Sequence, residues 1–175
     1  MRKNLFLGIC AIIISVTQVF ATSNIFEHKA DTSNLELPTF KNVVCKFEQT
    51  KHFNNNSIKS GGDFHFLLKK GVIFETLYPV KYTTSYNSKE NKYVNDIILS
   101  LSKKNFSSIE KHFDLYYLKN SSNWILGLKP KQEEAVSEQL NHILIFGEKD
   151  INKIIISTIN SGSTEINFSQ CKEEL

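Results

Sequence analysis

The sequence predicts a mainly β domain with some α: a curved antiparallel sheet or partial barrel, with helices packed against its apolar face. Three observations carry this. Apolar residues recur at every second position after residue 40, turn-forming residues separate those runs, and one central stretch spaces its apolar residues by three, four or five instead.

The first twenty-one residues are set apart from that pattern. Arg2 and Lys3 precede an apolar run from Leu5 to Val16, and Val19-Phe20-Ala21 follows as a small-residue end. This is the layout of a secretory signal peptide cleaved after Ala21, leaving residues 22–175 as a single domain. The run is short for a membrane span, although an uncleaved anchor is the alternative. Leu7-Gly8-Ile9-Cys10 does not make a lipoprotein signal, because Ile9 is large and most of the apolar run follows Cys10.

Losing Arg2 and Lys3 takes the 21 basic residues to 19 against 18 acidic ones, a mature charge of about +1. Nucleic acid is therefore not an expected partner, since such binding needs clustered Lys and Arg. Two cysteines remain beyond Ala21, Cys45 and Cys171. An even count in an exported chain suggests a disulfide, which would tie the first strand to the last; two buried free thiols are the alternative. No His stands at metal-ligand spacing from either Cys, so no metal or other cofactor is expected.

The elements follow in order. Val43, Cys45 and Phe47 alternate with Lys46 and Glu48 in a first strand. Phe64, Phe66 and Leu68 form a second, opened by Gly61-Gly62, and Gly71 turns it into a third from Val72 to Leu77. Pro79 ends that strand or marks an edge, and Val80, Tyr82, Thr84 and Tyr86 continue the meander on one face. From Asn95 to Phe113 the spacing becomes helical, with Asn105 or Ser107 as N-cap and Glu110 in the first turn. Strands resume at Leu115 to Lys119 and Asn123 to Lys129, and a short helical turn spans Glu133 to Gln139. Leu140 to Phe146, Ile151 to Ile159 and Thr164 to Phe168 close the chain, separated by turns at 147–150 and 161–163.

Convergent chemistry is not demanded by this sequence. Ser108-Ile109-Glu110-Lys111 matches a serine-hydrolase S-x-x-K tetrad, but neither K-T-G nor S-D-N accompanies it. The five histidines are scattered, His65 falls on the wet face of its strand, and Glu75 reads as a solvated outer-face carboxylate. An enzyme is not expected.

The ordered strand motifs resemble the LolA-like family of periplasmic lipoprotein carriers. The residues that carry the resemblance are Phe47-Glu48-Gln49, Ser60-Gly61-Gly62-Asp63-Phe64-His65-Phe66, Gly71-Val72-Ile73-Phe74 with Pro79, and Trp124-Ile125-Leu126-Gly127-Leu128-Lys129-Pro130. The closing strands match in the same order, so the likeness spans about residues 43–169. Two departures stand out. Lys69-Lys70-Gly71 occupies the place of an Arg-Pro pair found in lipoprotein carriers, and Asn24 to Phe40, with Pro38, is short for the family's N-terminal helix.

The resemblance implies a half-open β-barrel with short lid helices on an apolar concave face. It also implies a monomeric periplasmic carrier of lipoprotein or lipid cargo, served by an inner-membrane transporter and an outer-membrane acceptor. Phe47, Phe64, Phe66, Phe74, Tyr82, Trp124 and Leu126 would line the slot, and Phe106, Ile109 and Phe113 the inner side of the lid. Tyr82 and Trp124 each bring a polar tip suited to a head-group boundary. Each of these side chains could equally be ordinary core. An exported interaction or envelope-assembly module without lipid cargo is the alternative function.

Overall fold

The computed structural model describes residues 22–84, 92–132 and 139–174, with side chains at 22–24 and 92–93 left aside. The expected signal peptide, Tyr86 and nearly all of the helical turn expected after Pro130 lie outside the described residues.

Nine antiparallel strands form one open sheet. They are β1 (Val43–Phe53), β2 (Asn56–Leu67), β3 (Gly71–Tyr78), β4 (Tyr82–Thr84), β5 (Phe113–Asn120), β6 (Asn123–Pro130), β7 (Leu140–Gly147), β8 (Ile151–Thr158) and β9 (Ser163–Glu173). The spatial order is β4-β3-β2-β1-β9-β8-β7-β6-β5, so β1–β4 and β5–β9 are two meanders joined where β1 pairs with β9. β4 and β5 are the two outermost strands, and the sheet between them curves without closing, as a half-open barrel.

The chain from β4 to β5 must travel between opposite edges, and it does so as α1 (Lys92–Ser102) and α2 (Phe106–Glu110). Ile97, Ile98 and Leu101 of α1 and Ile109 of α2 are buried in one cluster with Phe64, Phe66, Trp124 and Leu126 from the sheet. The side chain of buried Asn95 accepts a hydrogen bond from the Val72 backbone N–H at 3.0 Å, pinning α1 to the start of β3.

Several boundaries differ from the sequence expectation, each for a local reason. The single helix expected over Asn95 to Phe113 is two, because Lys104 adopts a left-handed φ of 53° and ends the first. Asn105 precedes α2 but makes no side-chain cap; instead it accepts a hydrogen bond from the Ser107 hydroxyl. Phe113 opens β5 rather than closing a helix, its apolar spacing from Ile109 being satisfied across a turn. Gly61 and Gly62 lie within β2, not at its start. A Cβ at Gly62 would overlap the Glu75 carbonyl oxygen, so the close pairing of β2 and β3 at their bulge requires glycine there. Val80 falls in the β3–β4 connection and is 68% exposed, outside the strand expected to hold it.

The segment before β1 wraps the β5 edge. His28 and Leu115 carbonyls accept from Tyr117 and Ala30 N–H groups, which covers the edge strand's open hydrogen-bonding groups. Tyr117 donates its hydroxyl to the Glu36 carbonyl at 2.6 Å, and Lys119 pairs with the Glu36 carboxylate. The segment is thereby seated on both faces. Leu35, Leu37 and Phe40 enter the concave core, while Ile25 packs with Ile125 and Leu144 on the convex side.

Cys45 and Cys171 are disulfide-bonded across β1 and β9. The register of that pair shifts between Val44 and Lys46, and Gln170 at φ 52° takes up the extra residue that sets Cys171 beside Cys45.

On the convex face His142 meets the Phe26 ring at 5.1 Å. Burial pushes its imidazole below the ordinary value of 6.5, and the Lys129 cation adds to the effect. The stability that goes with this depressed value is complete above the unfolded pKa and is lost as the pH falls through the folded one. Denaturant titrations below about pH 6.5 are therefore expected to show a shallower acid-side decline in His142→Gln than in the parent.

Candidate functional site

The concave face divides into a filled part and an open part. Phe64, Phe66, Phe113, Trp124, Leu126 and Ile109 belong to the buried cluster under the helices, and Phe106 packs half-buried against it. Within this cluster the Phe64 ring meets Phe74 at 5.0 Å and Phe168 at 4.6 Å. A small pocket there, lined among others by Phe40, Cys45, Phe64, Phe66 and Ile98, measures about 30 Å³. That is room for about one or two waters, and its lining is almost wholly apolar.

Trp124 is 2% exposed, and its indole N–H donates to the Glu148 carbonyl at 2.8 Å. Its polar tip is thus satisfied within the fold. The ring lies against Gly147, where a Cβ would overlap it. Phe40 packs edge-on at 6.4 Å.

The open part is a cleft of about 460 Å³ lined by Phe47, Gln49, Lys51, Phe74, Thr76, Tyr82 and Thr84. Strand pairing places these residues together. Phe47, Gln49 and Lys51 alternate along β1, Phe74 pairs with Thr84 and Thr76 with Tyr82 across β3 and β4, and all share the concave face. Phe47 and Phe74 form the floor in an edge-to-face contact at 5.1 Å, continuous with the core. Tyr82 is half exposed at the margin. Gln49 donates to the Ser60 hydroxyl at 3.3 Å. Lys51 has no carboxylate within salt-bridge distance among the described residues.

Of the ten slot and lid residues expected from the sequence, the structure brings Phe47, Phe74 and Tyr82 to the cleft, places Phe64 and Phe66 along the small apolar pocket, and packs Trp124, Leu126, Phe106, Ile109 and Phe113 in or against the core. Gln49, Lys51, Thr76 and Thr84 are the cleft residues that aromatic content could not single out. Their signal was the period-2 continuation of Phe47, Phe74 and Tyr82 toward the strand ends.

The other residues weighed in the sequence lie elsewhere. His65 and Glu75 stand on the convex face, with the imidazole 4.0 Å from both Glu75 and Glu174. Ser108 is half-buried on α2, and Lys111 is exposed beyond it. Among the described residues no group of three His, Cys, Asp or Glu is placed to hold a metal ion.

Solved structures similar to this chain include a LolA superfamily protein. That protein, from Nitrosomonas europaea, is 9% identical with a TM-score of 0.39, over 90% of this chain and 94% of its own. A domain from Vibrio parahaemolyticus described as an outer membrane lipoprotein-sorting protein is 8% identical with a TM-score of 0.37, over 77% and 86%. A DUF1329 family protein from Desulfovibrio piger is 8% identical with a TM-score of 0.38, over the same shares. No protein-family model and no curated protein sequence matches this chain.

The division of the concave face has a direct energetic reading. Phe64→Ala is expected to cost about 3–5 kcal/mol of unfolding free energy, whereas Tyr82→Ala should stay within about 0.5 kcal/mol of the parent in the same denaturant titration.

Proposed function

We propose that this protein is an exported, non-enzymatic carrier that shields an acyl chain of a lipoprotein or other lipid in the cleft between β1, β3 and β4. The observation that carries the reading is the open cleft on the concave face, with Phe47 and Phe74 as its floor and Tyr82 at its margin. Its volume of about 460 Å³ falls within the roughly 300–1,000 Å³ of small-molecule sites. An apolar floor flanked by Gln49, Lys51, Thr76 and Thr84 suits an amphiphile, with hydrocarbon on the rings and a polar head toward Lys51.

Transport follows from solvation. Each methylene moved out of water gains about 0.8 kcal/mol, so a sixteen-carbon chain free in water costs roughly 12 kcal/mol. Diffusion of such a chain across an aqueous compartment is negligible without an apolar slot. In this reading the compartment is the periplasm, the route runs from inner to outer membrane, and a transporter and an acceptor stand at its two ends.

A second reading, an exported interaction or envelope-assembly module without lipid cargo, is favoured by the close packing of Phe64, Phe66, Trp124 and Leu126 under α1. Mass spectrometry of lipid co-purified with the exported protein separates the two. The carrier reading expects acyl lipid with the parent and its loss in Thr76→Trp, which fills the cleft, with the far-ultraviolet spectrum unchanged. Absence of lipid from the folded parent, together with no uptake of added fatty acid, would favour the second reading.

A further inference from the structure

The small apolar pocket and the open cleft lie end to end along β1. Val43 and Cys45 line the pocket, and Phe47, Gln49 and Lys51, the next inward positions of the same strand, line the cleft. Four phenylalanine rings draw the boundary. Phe47 and Phe74 face the cleft, Phe64 and Phe168 face the pocket, and they stand in a row: Phe47 to Phe74 at 5.1 Å, Phe74 to Phe64 at 5.0 Å and Phe64 to Phe168 at 4.6 Å. The contact of Phe64 with Phe74 is thus where pocket and cleft meet.

The two spaces differ in character. The cleft holds about 460 Å³ and brings Gln49, Lys51, Thr76 and Thr84 to its wall, whereas the pocket measures about 30 Å³ and is almost wholly apolar. Of the charged residues at the pocket, Lys41 is already held by the Glu173 carboxylate at 2.8 Å. The cleft therefore suits the polar end of an amphiphile and the pocket its methyl end. Length points the same way. At about 3.3 Å per residue, the cleft wall from Phe47 to Lys51 spans roughly 13 Å, and the wall from Val43 to Lys51 roughly 26 Å. An extended sixteen-carbon chain is longer than the first and shorter than the second.

A ring that borders free space lacks neighbours on that side, so displacing it costs less than displacing a ring enclosed all round. Phe64 borders the pocket and Phe74 the cleft. We propose that these two rings are a partition that sets acyl-chain length: the end of a long chain parts them and enters the pocket, while a short chain stops against them. Phe64 is then the residue that determines specificity. The ligand class is a single unbranched acyl chain, longer than the cleft alone accommodates. This inference rests on the carrier reading and goes beyond it in stating where the chain ends and what limits its length.

Competition of saturated fatty acids of eight to eighteen carbons against a bound fluorescent fatty acid tests the partition. Each methylene that leaves water for apolar surroundings is expected to raise affinity about four-fold, and in the parent that increment should continue past the length of the cleft. Ile151→Trp and, separately, Val43→Phe fill the pocket from residues that do not line the cleft. In both, short chains should keep parental affinity, and the sixteen-carbon acid should bind roughly 60-fold more weakly, the effect of about three methylenes. Phe64→Leu should shift the preference toward longer chains. A sixteen-carbon acid with a diazirine at its terminal carbon should label Phe64, Ile98 or Ile151 rather than Gln49, Lys51 or Tyr82. Where a filled variant loses the short chains as well, through misfolding, the position of this label decides. Long chains bound normally by both filled variants, or label confined to the cleft, would overturn the partition and leave the carrier reading in place. No fatty acid bound by the folded parent would overturn both.

Discussion

The antiparallel seam between β1 and β9 is the constraint on which the other features depend. β1 is the first strand of the chain, yet it lies in the middle of the sheet because β9 returns to pair with it from Val43–Glu173 to His52–Ser163. That pairing turns two meanders into one curved surface, and the disulfide between Cys45 and Cys171 holds it covalently. It also leaves β4 and β5 as opposite edges. The connection between them runs through α1 and α2, whose apolar residues Ile97, Ile98, Leu101 and Ile109 seat it on the concave face.

The same curvature separates packing from opening. Where α1 and α2 lie across the sheet, Phe64, Phe66, Trp124 and Leu126 are fully occupied with Ile97, Ile98, Leu101 and Ile109. Toward the β1–β2 turn the inward residues change from phenylalanine to Gln49, Lys51 and Thr76, with Thr84 at the β4 edge, and the interior opens into the cleft. Polar side chains cannot be packed dry without partners, so the site lies where the apolar alternation stops.

Much of the fold was legible because a half-buried strand writes its own pattern. Val43-Cys45-Phe47, Phe64-Phe66 and the three closing strands are at their expected places, since burial of one face imposes period 2. The pairing of Cys45 with Cys171 agrees with the two cysteines found beyond Ala21. Helix limits were harder, because apolar spacing across the turn between Ile109 and Phe113 imitates a continuing helix. The N-terminal wrap left almost no signal. Leu35, Leu37 and Phe40 follow neither strand nor helix period, and they are placed by tertiary contacts with β5 and Trp124. For the site, aromatic content identified the concave face but could not divide it, since a ring packed on α1 and a ring lining the cleft look alike in sequence.

Because the seam organises both the sheet and the approach to the cleft, its disulfide is the place to test the account. The bond spans 126 residues of chain, for which loop-closure entropy gives roughly 4–5 kcal/mol as an upper value. Denaturant unfolding followed with amide exchange, on the oxidised protein and on Cys45→Ala/Cys171→Ala, measures the contribution. The account expects a loss of about 2–4 kcal/mol, with exchange accelerated along β1 and β9 together. Unchanged stability, with protection along both strands intact, would contradict it.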